Sequence, residues 1–142
     1  MANKKKYPNE KFVIICADIE DQITDLKLEE KEMYMKNIGL DKTGLNQLIT
    51  TGYDLLNLNT FFTSGPEESR AWTIPKNCTA LKAAGIIHTD FEKGFIRSET
   101  VSYYEFVQNN GWTNSKTSGK MRLEGKDYIV KDGDVLNIRF NT

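Results

Sequence analysis

The longest unbroken apolar run in the chain, Phe12-Val13-Ile14-Ile15-Cys16-Ala17, is short and rich in β-branched residues. Such a run suits a strand buried on both faces, as in a parallel sheet, because a half-exposed strand alternates with polar residues. A strand of that kind needs neighbours, and residues 1–11 are polar, basic and without periodicity, so they read as a surface segment and supply none. The run is therefore expected to be an orphan strand whose sheet is missing on the N-terminal side. It is also far shorter than the roughly 20 apolar residues that span a bilayer, so no membrane partner is expected. The lysines at 4–6 precede Tyr7-Pro8-Asn9-Glu10 rather than an apolar stretch, which argues against a signal peptide and for a solvated charge run.

Hydrophobic residues make up 39% of the 142 and charged residues 27%, the balance of an ordinary globular chain rather than a disordered one. Net charge is −1, so no global field recruits nucleic acid, and any such binding needs a local patch. Cys16 and Cys78 are the only cysteines and His88 the only histidine. With no Cys-x-x-Cys pair, no metal site is expected, and both thiols read as reduced, in a cytoplasmic protein.

After the apolar run, residues 20–38 carry Ile23, Leu26, Met33 and Ile38 at roughly helical spacing and stop at Gly39. A further helix is expected over 43–56, with Leu45, Leu48, Ile49, Gly52 and Leu56 on one face, Thr43 as N-cap and Asn57 as its stop. From Leu58 the pattern changes to short strands. Residues 58–63 and 70–74 flank Ser64-Gly65-Pro66 and predict a hairpin. A short helix over 79–87, a strand over 95–103 and a helical turn over 104–108 follow. Residues 109–120 hold Trp112 as their one large apolar side chain among turn formers and predict a mobile loop. Asp132-Gly133 between residues 128–130 and 135–140 predicts a closing hairpin. The whole reads as α+β: a small sheet with one covering helix, preceded by a helical segment.

Four co-linear blocks carry a resemblance. They are Leu58-Asn59-Thr60-Phe61-Phe62-Thr63-Ser64-Gly65, then Arg70-Ala71-Trp72-Thr73-Ile74, then residues 83–97 (Ala83-Ala84-Gly85-Ile86-Ile87-His88-Thr89-Asp90-Phe91 to Arg97), then residues 122–135 (Arg122-Leu123-Glu124-Gly125-Lys126-Asp127 to Val135). Together they resemble the tail of the YchF/Obg-like ATPase family. The resemblance implies that 58–142 is a TGS domain, a ubiquitin-like β-grasp also found in threonyl-tRNA and (p)ppGpp synthetases. Upstream, Ile15-Cys16-Ala17-Asp18-Ile19-Glu20 is similar to the family's version of the fifth nucleotide-binding motif of P-loop GTPases. By that likeness 1–57 is the end of a truncated P-loop nucleotide-binding (OBG-type G) domain, and the backbone of Cys16, Ala17 and Asp18 forms one wall of a purine pocket. Asn77 stands where the family has glycine, which a left-handed turn tolerates. The larger departure is that Gly-x-x-x-x-Gly-Lys-Ser/Thr is absent from the chain. Without backbone amides and a lysine cradling phosphates there is no phosphoryl-transfer machinery. The family's ATP (or GTP) and Mg²⁺ are thus expected in the parent protein and no cofactor, catalytic residue or metal ligand in this chain.

The resemblance also implies attachment to the ribosome, with ribosomal RNA and the rest of the nucleotide-binding domain as partners and no DNA. The candidate contacts are basic residues interleaved with aromatics: Arg70, Lys76, Lys82, Lys93, Arg97, Arg122 and Lys126, with Trp112 as a stacking platform. Matching carboxylates leave this region near neutral, so only a one-sided arrangement makes an RNA-binding face. Two rival readings are a structural brace of the ATPase domain and a regulatory TGS domain of a synthetase-like enzyme. His88 reads as a structural residue closing the short helix. Asp132 and Asp134, flanking Gly133, read as turn residues rather than a carboxylate pair for metal or catalysis.

Overall fold

The apolar run that opens the chain does not form a strand. In the computed structural model, which describes residues 10–141, residues 11–16 are irregular and largely exposed, with Ile14 at 84%. Strand character is a property of a paired ladder, and among the described residues no strand pairs with this segment. The extended backbone ends at Cys16, and helix α1 (Ala17–Thr24) begins at the next residue.

The chain divides after Leu56 into two compact units. The first contains α1, α2 (Leu28–Asn37) and α3 (Gly44–Leu55). The single helical region expected over 20–38 is two helices, because residues 25–27 break the path and Glu30 Oε2 accepts the Lys27 amide to start α2 afresh. Gly39 then ends α2 in the left-handed region (φ 72°), and the Leu40 amide returns to the Met35 carbonyl. Thr43 caps α3 as expected, accepting the Asn46 amide at 3.2 Å. Glu20 ties α1 to α3 by accepting the Gly44 amide at 2.6 Å, a carboxylate set on a helix N-terminus. Ile15 covers that same glycine, and a Cβ there would meet Ile15 Cγ2 at 2.6 Å.

The second unit, from Asn57, is mixed α/β around a five-stranded sheet. Its elements are β1 (Leu58–Ser64), β2 (Ser69–Pro75), α4 (Ala80–Ile87), α5 (Thr89–Lys93), β3 (Phe95–Ser102), α6 (Tyr103–Gln108), α7 (Trp112–Thr117), β4 (Arg122–Glu124) and β5 (Asp134–Phe140). The strand order is β2-β1-β5-β3-β4. β1 and β2 form the expected hairpin with Phe61 opposite Trp72, closed by the Gly65 amide on the Glu68 carbonyl. β5 enters between β1 (parallel) and β3 (antiparallel).

The closing hairpin does not form. Residues 128–130 make one bridge, Thr79 to Ile129, and do not pair with β5. Gly133 does turn the chain (φ 78°), but the turn is sewn to β1: Asp132 Oδ1 accepts the Thr60 amide at 2.7 Å and the Gly133 amide donates to the Thr60 carbonyl at 2.8 Å. Those two bonds commit β5 to run alongside β1 instead of folding back.

Period-two alternation sorts the sheet's faces. Phe61, Ile74, Leu136 and Ile138 point to one side, where α4 lies with Ala80, Ala83 and Ala84 fully buried. Small residues let the helix sit close, and burying a side chain such as Phe61 completely contributes roughly 2 to 3 kcal/mol. Ser98 and Thr100 also face this side and satisfy each other's buried hydroxyls at 3.1 Å.

The predicted mobile loop over 109–120 is instead ordered around α7. Gly111 (φ 105°) precedes the helix, Trp112 Nε1 donates to the Ser64 carbonyl at 2.9 Å, and the indole meets Phe106 edge-on at 5.0 Å. An apolar anchor with a satisfied polar edge holds in place a segment whose composition is that of a loop.

Candidate functional site

The sheet face turned away from α4 carries the side chains that alternate with the core. In β5 these are Val135, Asn137 and Arg139, and in β3 Arg97, Glu99 and Val101. Arg97 and Arg139 are register partners, so both guanidinium groups rise from the same face, and both residues are exposed. Glu99 Oε2 accepts from Arg139 Nη2 at 3.0 Å and from Asn137 Nδ2 at 2.9 Å. Burial alone would raise the Glu99 pKa. The hydrogen bonds from Arg139 and Asn137, with the charges of Arg139 and Arg97, outweigh it and hold the carboxyl below its ordinary range. Two cations thus stand around one ionised carboxylate, and the cluster is net positive.

Asn137 also lines a groove of about 710 Å³ beside this cluster. Its walls are Ser64 and Pro66 from the β1–β2 turn and Phe106, Val107 and Trp112 from α6 and α7. Trp112 is pinned by its bond to Ser64 and its contact with Phe106, so the wall is preformed. Tyr103 continues the aromatic surface over Phe62, with ring centroids 5.5 Å apart.

The structure brings only two of the expected contact residues to this face: Arg97 in the cluster and Trp112 in the groove. Arg70 lies over the Trp72 ring at 4.3 Å, on the α4 side of edge strand β2. Arg122, on the opposite edge strand, is engaged by Glu124 (3.1 Å) and Asp134 (3.3 Å). Lys82 sits on α4, Lys93 at the end of α5, Lys76 after β2 and Lys126 after β4, all exposed and in separate places. Arg139, Asn137, Glu99 and Phe106 complete this surface and are not among the residues expected from the sequence. The alternation of Val135, Asn137 and Arg139 with Leu136, Ile138 and Phe140 was a signal for the first two; nothing in the sequence paired Glu99 with them.

The remaining candidates lie apart from this face. Buried Asp134 accepts from Tyr128 Oη at 2.7 Å and from the Lys131 amide at 2.9 Å through Oδ2, and from Arg122 through Oδ1. Burial, the bond to Asp134 and its negative charge push the Tyr128 phenol well above its ordinary value. His88 caps α5, its Nδ1 accepting the Asp90 amide at 3.2 Å. Cys16, Ala17 and Asp18 form the exposed start of α1, where Cys16 makes no side-chain cap. Among the described residues, no group of three or more His, Cys, Asp or Glu could hold a metal ion, and no helix is long and apolar enough to cross a membrane.

Fold and surface together define a mixed α/β chain whose second unit offers a preformed groove beside a basic cluster. Comparison with known proteins specifies it further. Residues 58–141 match the family model YchF-GTPase_C, described as a protein of unknown function (DUF933). Over 129 residues the chain is 55% identical to the ribosome-binding ATPase YchF of Haemophilus influenzae, covering 91% of this chain and 36% of that protein. It is 50% identical over 133 residues to the Bacillus subtilis protein of the same name, again covering 36% of it. The solved structure of the Schizosaccharomyces pombe YchF GTPase superimposes with a TM-score of 0.76 at 33% identity, covering 96% of this chain and 36% of that one. The chain belongs to the YchF family, and it spans about a third of the length of the curated relatives it matches.

Proposed function

We propose that this chain is the ribosome-attaching C-terminal part of a cytoplasmic YchF-type nucleotide hydrolase. The observation that carries the reading is its identity of 50% or more to relatives named ribosome-binding ATPases. In this reading 58–142 is a β-grasp TGS domain. The order β2-β1-β5-β3-β4, with a parallel central pair and one helix against one face, supports it. Residues 1–57 are the end of the nucleotide-binding domain.

The chain's own share of the function is binding. The first-turn backbone of α1 at Cys16, Ala17 and Asp18 fits a contact to a purine edge, since N–H groups at a helix start lack intrahelical partners. It does not fit a triphosphate and its Mg²⁺, because no phosphate-binding loop is in the sequence. ATP or GTP and Mg²⁺ therefore belong to the longer protein. Co-sedimentation of the chain with ribosomes tests the proposal, and failure to co-sediment even at low salt would sink it.

A second reading, a brace for the nucleotide-binding domain, is favoured by one observation in the first unit. Leu45, Leu48, Ile49 and Leu55 of α3 are between 49% and 60% exposed, an apolar surface of the kind that packs against protein. Adding the remainder of a YchF-type nucleotide-binding domain should then give ATP binding that substitutions at residues 16–18 shift between ATP and GTP. Unchanged preference would contradict it.

A further inference from the structure

The groove and the basic cluster share Asn137, and this juxtaposition says more about the partner than ribosome attachment does. We infer that the face of the sheet opposite α4 holds an unpaired RNA segment, with one base in the groove beside Trp112 and the adjoining phosphates against Arg97 and Arg139. The inference rests on the ribosome-attachment reading and names its ligand class and its surface.

Two features point to a single strand. The groove is open to solvent and has an apolar, partly aromatic wall of Phe106, Val107, Trp112 and Pro66, with room for a base laid against it. A splayed base fits such a groove, whereas a duplex keeps its bases paired and offers shape and phosphates instead. The indole is already fixed by Ser64 and Phe106, so little ordering is left to lose when a base packs on that wall.

Asn137 supplies polarity to the groove. A carboxylate only accepts hydrogen bonds, so Glu99 requires the amide NH₂ of Asn137 and fixes which way that side chain points. Its Oδ1, which bonds no other group among the described residues, is left to accept from a base N–H.

Charge sets direction along the face. Arg97 has no carboxylate within ion-pair distance among the described residues, and Arg139 keeps donor capacity beyond its single bond to Glu99. On the other side of the groove, Glu67 and Glu68 extend the β1–β2 turn and are exposed. Phosphates are thus drawn toward Arg97 and Arg139 and repelled from the turn. Only two cations take part, so the affinity is modest and its salt dependence shallow. The slope of log K against log salt should be no steeper than about −1.4, at roughly −0.7 per phosphate contacted.

The test is fluorescence anisotropy of a labelled, unstructured oligoribonucleotide and of a duplex of equal length, titrated with the intact chain and with variants whose melting temperature matches it. The single strand should bind more tightly than the duplex. Arg97→Gln should weaken binding and flatten the salt slope by about 0.7, Val107→Glu should abolish it, and Glu67→Gln with Glu68→Gln should tighten it. Equal binding of strand and duplex, or Arg97→Gln and Val107→Glu chains that bind as the parent does, would overturn the inference. Ribosome co-sedimentation without oligonucleotide binding would also overturn it, shifting the contact to a ribosomal protein while ribosome attachment stood. Oligonucleotide binding at this face without co-sedimentation would uphold the surface and remove the ribosome reading.

Discussion

Arg139 Nη2 and Glu99 Oε2 meet at 3.0 Å across strands β5 and β3, and this contact keeps a nearly buried carboxylate charged in the middle of a sheet face. Burial by itself would favour the protonated acid. The Arg139 contact, with the Asn137 hydrogen bond and the Arg97 charge, holds the folded-state pKa below the ordinary value of 4.5.

A pH dependence follows from the sign of that shift. A carboxyl whose folded pKa is depressed contributes stability above its unfolded value, and the contribution fades as pH falls through the folded value. Melting temperature should therefore drop as pH is lowered below about 4.5. Glu99→Gln should flatten that part of the profile while lowering stability near neutrality. An unchanged profile in the variant would show that other acids dominate.

Tyr128→Phe removes the hydroxyl that donates to buried Asp134 at 2.7 Å. Arg122 and the Lys131 amide still serve that carboxylate, so the loss should be about 1 to 2 kcal/mol rather than collapse. Denaturant titration at neutral pH measures it. A neutral result would mean that solvent replaces the phenol freely.

Gly94 has no room for a side chain. A Cβ there would fall 1.9 Å from the Asn141 carbonyl oxygen, and the Asn141 amide donates to the Gly94 carbonyl at 2.9 Å. Backbone, not a flexible side-chain tip, is what must move, so Gly94→Ala should cost at least about 2 kcal/mol. Gly52→Ala, with nothing within 4 Å of its Cβ, is the control and should be neutral or stabilising.

The two thiols should differ sharply in reactivity. Cys16 is exposed, whereas Cys78 is buried, and burial raises its pKa against the opposing charge of Lys82. A thiol reagent should label one cysteine per chain quickly and the second only on unfolding. Fast labelling of both would contradict the placement of Cys78 in the core.

What the sequence disclosed was decided by where the structure-forming forces are local. The β1–β2 hairpin, the Thr43 cap and α4 follow from turn residues, capping and short-range periodicity. Two elements depart from expectation because a local pattern does not suffice to form them. The run at 12–17 has the composition of a buried strand, yet strand pairing needs a partner the described residues do not contain. Asp132-Gly133 turns as expected, but its bonds go to Thr60, which lies 72 residues before Asp132. The site was legible in part for the same reason. Alternation in β5 marks Asn137 and Arg139 as outward residues, while their meeting with Glu99 is a tertiary contact between strands 38 and 40 residues apart. Trp112 stands out in the sequence as a large apolar side chain in polar surroundings. That its indole is anchored on Ser64 depends on the packing of α7.

Ribosome co-sedimentation at low and at high salt is the most direct measurement of the central claim that this chain is a ribosome-attaching part of a YchF-type protein. The account predicts that the chain pellets with ribosomes at low salt, that higher salt weakens the association, and that Arg97→Gln reduces it. A folded chain that stays in the supernatant at both salt concentrations would contradict the account.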